Sequence, residues 1–141
     1  SLRPLFNFKK ANGTKAAPTA VKSGDLIGEF LFKGYGDNTL ELNGASFSAY
    51  ATQDFTNTNT PMDLVFKTTK IGTGNSLLER MRITSTGNIG IGLSGPSAYL
   101  HLKAGTATAT TAPLKFTAGT VLGTPEAGTV EFDGSNFFIT I

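Results

Sequence analysis

The second part of the chain holds five short segments in which two large apolar residues stand two positions apart. Successive side chains of an extended strand point to opposite faces, so both members of a pair lie on the same side. Turns rich in glycine and threonine follow the pairs, and a strand–turn unit of this kind cannot bury its apolar side alone. The pattern therefore predicts short strands whose core is completed from outside the unit. The pairs are Ile89 and Ile91, Leu100 and Leu102, Leu114 and Phe116, Val130 and Phe132, and Phe137 and Ile139.

Composition limits how such a core can be completed. Gly, Ser, Thr and Asn supply 56 of the 141 residues, and the chain has no cysteine. A disulfide network and a thiolate zinc site are excluded, so association of copies is the remaining common way to stabilise a thin core. Three copies around an axis would bring the apolar side chains against their symmetry mates. The predicted homotrimer interface comprises Met81, Ile83, Ile89, Ile91, Leu100, Leu102, Leu114 and Phe116.

The first part of the chain has longer segments in which apolar and polar residues alternate. Turn residues separate these segments, which is typical of an all-β fold. In the last of them, Met62, Leu64 and Phe66 are expected to point inward. We therefore expect a β-sandwich-like head domain over residues 1–86, followed by an intertwined homotrimeric β-shaft over residues 87–141. The alternating segments are 26–35, 40–51 and 62–69.

Residues 76–84 permit two interpretations. The first four residues match a helix capping box, whereas the β-branched and turn residues that follow favour a strand. As a strand, the segment places Glu79 beside Met81 on one face and Arg80 beside Arg82 on the other. We adopt the strand.

Residues suited to catalysis are few and scattered. His101 is the only histidine, it alternates with two leucines, and it belongs to no known nucleophile motif. Glu29 and Glu41 fall on neighbouring predicted strands, and Asp54 and Asp63 bracket a predicted loop, but neither pair has the motif of a glycan-cleaving pair. The glycine run at 87–92 lacks the residue order and the lysine of a phosphate loop. We expect no enzymatic activity, no metal and no cofactor.

The charge pattern and the hydropathy pattern each argue against one class of partner. The formal net charge is +2, and Lys9 and Lys10 are the only two basic residues that are consecutive in the sequence. Proteins that bind nucleic acid concentrate basic residues on one face, so a nucleic-acid partner is not expected. No apolar run reaches the length of a membrane-spanning helix, and we expect no membrane insertion.

Two predicted loops, at 34–39 and 52–60, combine polar and aromatic residues. Their carboxylates and amides lack the spacing of a calcium loop, and turn formation explains them better. The aromatic rings could form a platform for sugar rings, although capping of the core is the favoured explanation. Contact with a cell-surface polysaccharide is therefore a secondary prediction. Its candidate residues are Tyr35, Asp37, Asn38, Tyr50, Asp54, Phe55 and Asn57.

Several motifs resemble a module of bacteriophage tail-fibre and appendage proteins. The most specific is Glu-Arg-Met-Arg-Ile at 79–83, followed by Gly-Asn-Ile-Gly-Ile-Gly at 87–92. The usual Thr-Thr-Ser-Pro after this glycine run is Leu-Ser-Gly-Pro here, at 93–96, which changes the local turn. Further segments that resemble the module or the shaft unit after it lie at 24–28, 32–36, 61–69, 112–116, 124–128 and 132–134.

The resemblance implies a homotrimeric, β-rich fibre segment of the virion that acts as a spacer in host attachment and contacts other virion proteins. Such modules often stand upstream of an endosialidase-type intramolecular chaperone, whose catalytic region matches nothing in this sequence. The resemblance also gives Arg80 and Arg82 a role in ion pairs between chains, with a solvated face as the alternative. Two other functions stay open: a monomeric carbohydrate-binding β-sandwich and a fragment of a glycan-cleaving tailspike.

Overall fold

The computed structural model describes residues 6–37, 41–72 and 74–141. Every regular element of these residues is a β-strand, which confirms the predicted all-β class. A helix able to cross a membrane does not occur in the described segments. The strands are β1 (Asn12–Gly13), β2 (Pro18–Thr19), β3 (Leu26–Tyr35), β4 (Glu41–Ala51), β5 (Met62–Thr69), β6 (Leu77–Ile83), β7 (Ile89–Ile91), β8 (Leu100–Leu102), β9 (Val130–Phe132) and β10 (Phe137–Ile139).

Six strands form one sheet in the order β3–β4–β5–β6–β7–β8. Neighbouring strands are antiparallel, except that β7 and β8 run parallel. The strand interpretation of residues 76–84 is confirmed by β6. The end of the sheet at Tyr35 and Thr69 is called the upper end here, and the end at Ala51 and Ile83 is called the lower end.

The chain divides into two units, Ser1–Lys103 and Ala104–Ile141. The predicted boundary between residues 86 and 87 falls inside the six-stranded sheet, because β7 pairs with β6 and β8 pairs with β7. In the described part of the first unit, the only other sheet is the two-residue ribbon β1–β2. A sandwich requires two sheets packed face to face. The sandwich-like head predicted from the sequence is therefore not formed within one chain.

Three β-bulges decide which residues share a face. The register leaves Ile27, Gly44 and Arg80 as extra residues in their strands. An extra residue reverses the alternation beyond it. Because of Arg80, Glu79 faces the same side as Arg82, and the predicted grouping of Glu79 with Met81 is wrong.

The segment before β3 is fastened to the sheet by two aspartates. The Asp25 carboxylate accepts hydrogen bonds from the Lys22 main-chain N–H at 2.8 Å and from the Asn12 amide at 2.6 Å. The Asp54 carboxylate accepts bonds from the Lys22 ammonium at 2.8 Å and from the Ser23 main-chain N–H at 3.0 Å. These bonds stabilise the ionised forms, so the pKa values of Asp25 and Asp54 lie below the ordinary value.

The second unit is built on the antiparallel hairpin β9–β10. Phe132 stands opposite Phe137 in the register, and their rings stack at 4.7 Å between centroids. Phe116 meets Phe137 edge-on at 5.5 Å. The apolar pair formed by Leu114 and Phe116 is not part of a strand, in contrast to the other four pairs.

Asp133 shapes the turn of this hairpin. Its Oδ1 atom accepts hydrogen bonds from the main-chain N–H groups of Ser135 and Asn136, each at 2.7 Å. These two bonds lower the pKa of Asp133. Gly134 follows with a φ of 105°, a conformation that residues with a Cβ rarely adopt.

Candidate functional site

One face of the six-stranded sheet is lined by apolar residues from every strand. Cross-strand partners place their side chains on the same face, so the register defines two rows that run across all six strands. We call this surface the apolar face. The first row is Gly28, Ala49, Leu64, Ile83, Ile89 and Leu100, and the second is Phe30, Phe47, Phe66, Met81, Ile91 and Leu102.

The second row begins with a ladder of three phenylalanines. The rings of Phe30 and Phe47 stack with 6.0 Å between centroids and 6° between planes. The rings of Phe47 and Phe66 stack at 5.2 Å and 26°. Aromatic pairs of this geometry contribute about 0.5–1.5 kcal/mol beyond the area that they bury. The ladder therefore stabilises the pairing of β3, β4 and β5.

Much of the apolar face is exposed in a single chain. Phe66 is 37% exposed, Ile91 is 44% exposed and Leu100 is 59% exposed. Met62 and Leu64 on the same side of β5 are also exposed. The prediction that this side of β5 points inward is wrong for one chain, because it faces solvent.

The opposite face is polar, and yet it holds the two largest fully buried side chains of the described residues, Val65 and Ser48, together with the buried Asp63. Val65 is 0% exposed, Ser48 is 1% exposed and Asp63 is 5% exposed. On this face Tyr50 stands diagonally from Val65 on β4, and Lys67 lies two residues beyond Val65 on β5 itself. The Lys67 ammonium donates a hydrogen bond to the Tyr50 hydroxyl and lies 4.5 Å from the centre of its ring. Long polar side chains thus cover this face with their own apolar stems.

Arg82 completes the cover of the polar face. Its guanidinium donates to Asp63 at 2.6 Å and to the two carboxylate oxygens of Glu79 at 2.6 and 2.9 Å. The bonds to Glu79, with those to Asp63, raise the pKa of Arg82 further above its ordinary value. The other oxygen of Asp63 accepts the Ser85 main-chain N–H at 2.8 Å, so the network also holds the turn after β6.

The N-terminal segment covers one corner of the apolar face. Gly28 receives the Phe8 ring so closely that a Cβ at this position would lie 2.4 Å from Cγ of Phe8. Phe8 also meets Phe30 edge-on at 5.2 Å, and Phe6 packs against both rings. A recess of about 100 Å³ remains between Phe8, Phe30 and Phe47.

Most of the predicted trimer-interface residues lie on the apolar face. The two exceptions are Leu114, which is 62% exposed, and Phe116, and both belong to the second unit. The interface predicted from the sequence omitted Phe30, Phe47 and Phe66, because the alternating segments that contain them were assigned to a core within the head domain. The alternation of apolar residues in these three strands could have identified them, since it has the same two-residue spacing as the apolar pairs after residue 86. The predicted residues on the apolar face are Met81, Ile83, Ile89, Ile91, Leu100 and Leu102.

The predicted polysaccharide-binding residues lie at two ends of the sheet. Tyr35, which is 75% exposed, and Asp37 are at the upper end, whereas Tyr50 and Phe55 are at the lower end. A strand rises about 3.3 Å per residue, so the ten residues of β3 separate the two groups by roughly 30 Å. The proposed aromatic platform of Tyr35 with Tyr50 and Phe55 is therefore wrong for one chain. Asn38 lies outside the described residues.

At the lower end, several candidate residues already have partners within the chain. Tyr50 accepts the hydrogen bond from Lys67, and Asp54 pairs with Lys22. The main-chain N–H of Phe55 donates to a carbonyl of the preceding segment at 2.9 Å, whereas Asn57 is exposed in the loop. These contacts give Asp54 and Tyr50 structural roles.

His101 offers little catalytic chemistry. Its Nδ1 atom accepts the Ser97 main-chain N–H at 3.2 Å and lies 3.4 Å from the Ser97 hydroxyl. The hydrogen bonds of the described residues do not connect His101 to a carboxylate that would orient it as a base. The described residues also contain no group of three potential metal ligands.

A solved structure similar to this chain is the carboxy-terminal domain of the L-shaped tail fibre of bacteriophage T5. The TM-score is 0.54 at 19% sequence identity, and the match covers 89% of this chain and 43% of that chain. This chain thus spans less than half the length of the tail-fibre chain that it matches. No family model matches the sequence, and no curated protein matches it. The likeness supports an all-β fold of the kind found in that fibre domain.

Proposed function

We propose that this chain is a structural segment of a phage fibre or appendage, in which three copies bury their apolar faces against one another. The observation that carries the proposal is the reversed burial of the six-stranded sheet. Its polar face is covered by Lys67, Tyr50 and Arg82, whereas its apolar face is exposed. A sheet must bury its apolar face against another layer, and a second copy supplies an equivalent layer.

The size of the exposed surface supports this assembly. Eight large apolar side chains of the face are between 36% and 64% exposed. With about 150–250 Å² for an aromatic side chain and somewhat less for an aliphatic one, the exposed apolar surface is on the order of 600 Å². The largest patch on a typical monomer is about 300–600 Å², and a stable interface takes about 800 Å² from each partner. The eight are Phe30, Phe32, Met62, Leu64, Phe66, Leu78, Ile91 and Leu100.

The threefold state and the location in the virion rest on the resemblance to tail fibres. The motif at 79–92 resembles the fibre module, and the chain is similar in fold to a tail-fibre domain of bacteriophage T5. We propose a β-rich spacer that serves host attachment, with other virion proteins as partners. Contact of the two loop regions with a cell-surface polysaccharide stays a prediction, and a glycan array tests it.

The oligomeric state tests the proposal directly. Light scattering of the purified chain should give a particle of three times 14.8 kDa. A stable monomer of 14.8 kDa would contradict the shared core and favour the carbohydrate-binding module instead. Turnover of a polysaccharide that disappears when Glu29 or Asp54 is replaced by alanine would favour the tailspike alternative.

A further inference from the structure

The strand β3 forms an open edge of the six-stranded sheet, because it pairs with β4 alone among the described strands. The main chain of Ala51 on β4 faces β3, since its N–H donates to the Asp25 carbonyl at 2.9 Å. N–H and C=O groups alternate in direction along a strand, so Phe47 also faces β3, where its register partner is Phe30. Phe30 therefore faces β4, and its neighbours in β3 direct their N–H and C=O groups away from the sheet.

Glu29, Leu31 and Lys33 present these main-chain groups at the open edge. Their alternation is regular, because β3 has no bulge after Ile27. Within the part of the chain that the structure describes, no hydrogen bond satisfies the outward N–H and C=O groups of these three residues. Bulges and prolines protect many natural edges, and β3 has neither over residues 28–35. This edge is therefore a template for a further strand.

The sequence of β3 is self-complementary about Leu31. Residues 28–34 read Gly-Glu-Phe-Leu-Phe-Lys-Gly, which is a palindrome except that its two charged residues have opposite signs. When two such strands pair antiparallel about a twofold axis at Leu31, Glu29 stands opposite Lys33 of a second copy, and the phenylalanines stand opposite one another. Lys33 also pairs with Glu41 of its own chain at 3.3 Å, but its side chain is 43% exposed and remains accessible to a second carboxylate.

The same axis also matches the hydrogen-bonding groups. Leu31 meets Leu31 of the second copy, and Glu29 meets Lys33, so outward main chains face each other in every pair. An antiparallel hydrogen-bonded pair exchanges two bonds, and the three pairs close the edge with about six. An axis at Phe30 or Phe32 would instead place Leu31 opposite one of the charges. The charges therefore select the register.

We propose that β3 joins two copies of this chain by antiparallel pairing about Leu31, so that two six-stranded sheets become one continuous sheet. The apolar faces of both sheets then lie on the same side, because residues that stand opposite each other share a face. This contact uses the sheet edge and stands independently of the threefold assembly, which uses the apolar face. An edge contact buries little side-chain surface, so we expect it at higher concentration than the trimer, where it links one trimer to another.

Single cysteines test the register, because the chain has no cysteine of its own. Leu31→Cys should give a disulfide-linked dimer on mild oxidation, since the Cα atoms of hydrogen-bonded partners lie about 5.5 Å apart. Glu29→Cys and Lys33→Cys should each stay unlinked alone, because the same residue of two copies is displaced by roughly 13 Å along the strand. The two variants should link to each other when they are mixed, and a denaturing gel measures every case.

Proline at the axis tests the hydrogen bonds. Leu31→Pro removes an N–H that points outward, and proline is tolerated at such positions of an edge strand, so circular dichroism should show unchanged β-structure. The concentration at which the mass in light scattering rises above that of the trimer should increase about tenfold or more. Leu31→Ala is the matched control, because it shortens the same side chain and keeps the N–H, and its change should be less than about threefold.

The outcomes separate this contact from the threefold assembly. Absence of a Leu31→Cys dimer, or equal association of the proline and alanine variants, overturns the edge contact and leaves the trimer at low concentration as it is. Self-linking of Glu29→Cys and of Lys33→Cys would show that like residues meet, which overturns the antiparallel pairing. A wild-type chain that stays monomeric at every concentration overturns both assemblies.

Discussion

Replacement of Ile91 by alanine should weaken assembly by an amount that the structure allows us to work out. Ile91 lies in the second row between Met81 and Leu102, and 44% of it is exposed in one chain. Full burial of such a side chain contributes about 1.5–3 kcal/mol, so the exposed part contributes about 1 kcal/mol per copy and about 3 kcal/mol per trimer. The trimer dissociation constant should then rise roughly 100-fold. The concentration for half assembly varies as its square root and should rise roughly tenfold.

Ile91→Asp sharpens the same test. A carboxylate buried at this position without a partner should abolish trimers or soluble expression. Light scattering across a dilution series measures both variants, and unfolding of the monomer is followed separately by circular dichroism. Ile71→Asp is the matched control, because Ile71 lies in the turn after β5 and is 99% exposed. Assembly of Ile91→Asp at the wild-type concentration would refute the placement of this row at an interface.

Three further predictions concern the single chain. Gly28→Ala should displace Phe8, because the added Cβ would overlap its ring. We expect faster proteolysis of the segment before β3, while circular dichroism shows that the β-structure is unchanged. Arg82→Met leaves two carboxylates unpaired on the polar face and should lower the free energy of unfolding by about 3 kcal/mol, as measured in urea. The lowered pKa values of Asp25 and Asp54 stabilise the N-terminal attachment above the ordinary value of 3.8, and this stability is lost as the pH falls below it. The protection factors of amides in the segment before β3, corrected for the pH dependence of intrinsic hydrogen exchange, should therefore fall in acid, and unchanged protection factors would contradict the role of the two aspartates.

Local alternation was sufficient to locate the main strands. The observed β3, Leu26–Tyr35, and β5, Met62–Thr69, have the bounds that the sequence predicts. Both contain aromatic or β-branched residues at alternate positions and are bounded by turn residues, so the signal is local. The apolar pairs 89–91 and 100–102 were found for the same reason.

The assignment of faces could not be predicted in the same way. An alternating pattern shows that two faces differ, but it does not show which face is covered. On β5 the covered face holds Asp63 and Val65, because Arg82 from β6 bonds to Asp63 and Tyr50 from β4 bonds to Lys67 across this face. The bulge at Arg80 is equally non-local, since it exists only in the register between β5 and β6.

The register also shows that the strands before residue 87 and the strands β7 and β8 after it belong to one sheet. Phe30, Phe47 and Phe66 were expected to form a core of their own, and Ile91 and Leu102 to await neighbouring copies. The structure joins all five in one row of one sheet. A surface that is continuous across six strands calls for a continuous cover, so the need for a partner layer extends from the later pairs to the phenylalanine ladder. The chain itself stabilises the polar face, and the proposed assembly supplies what the apolar face lacks.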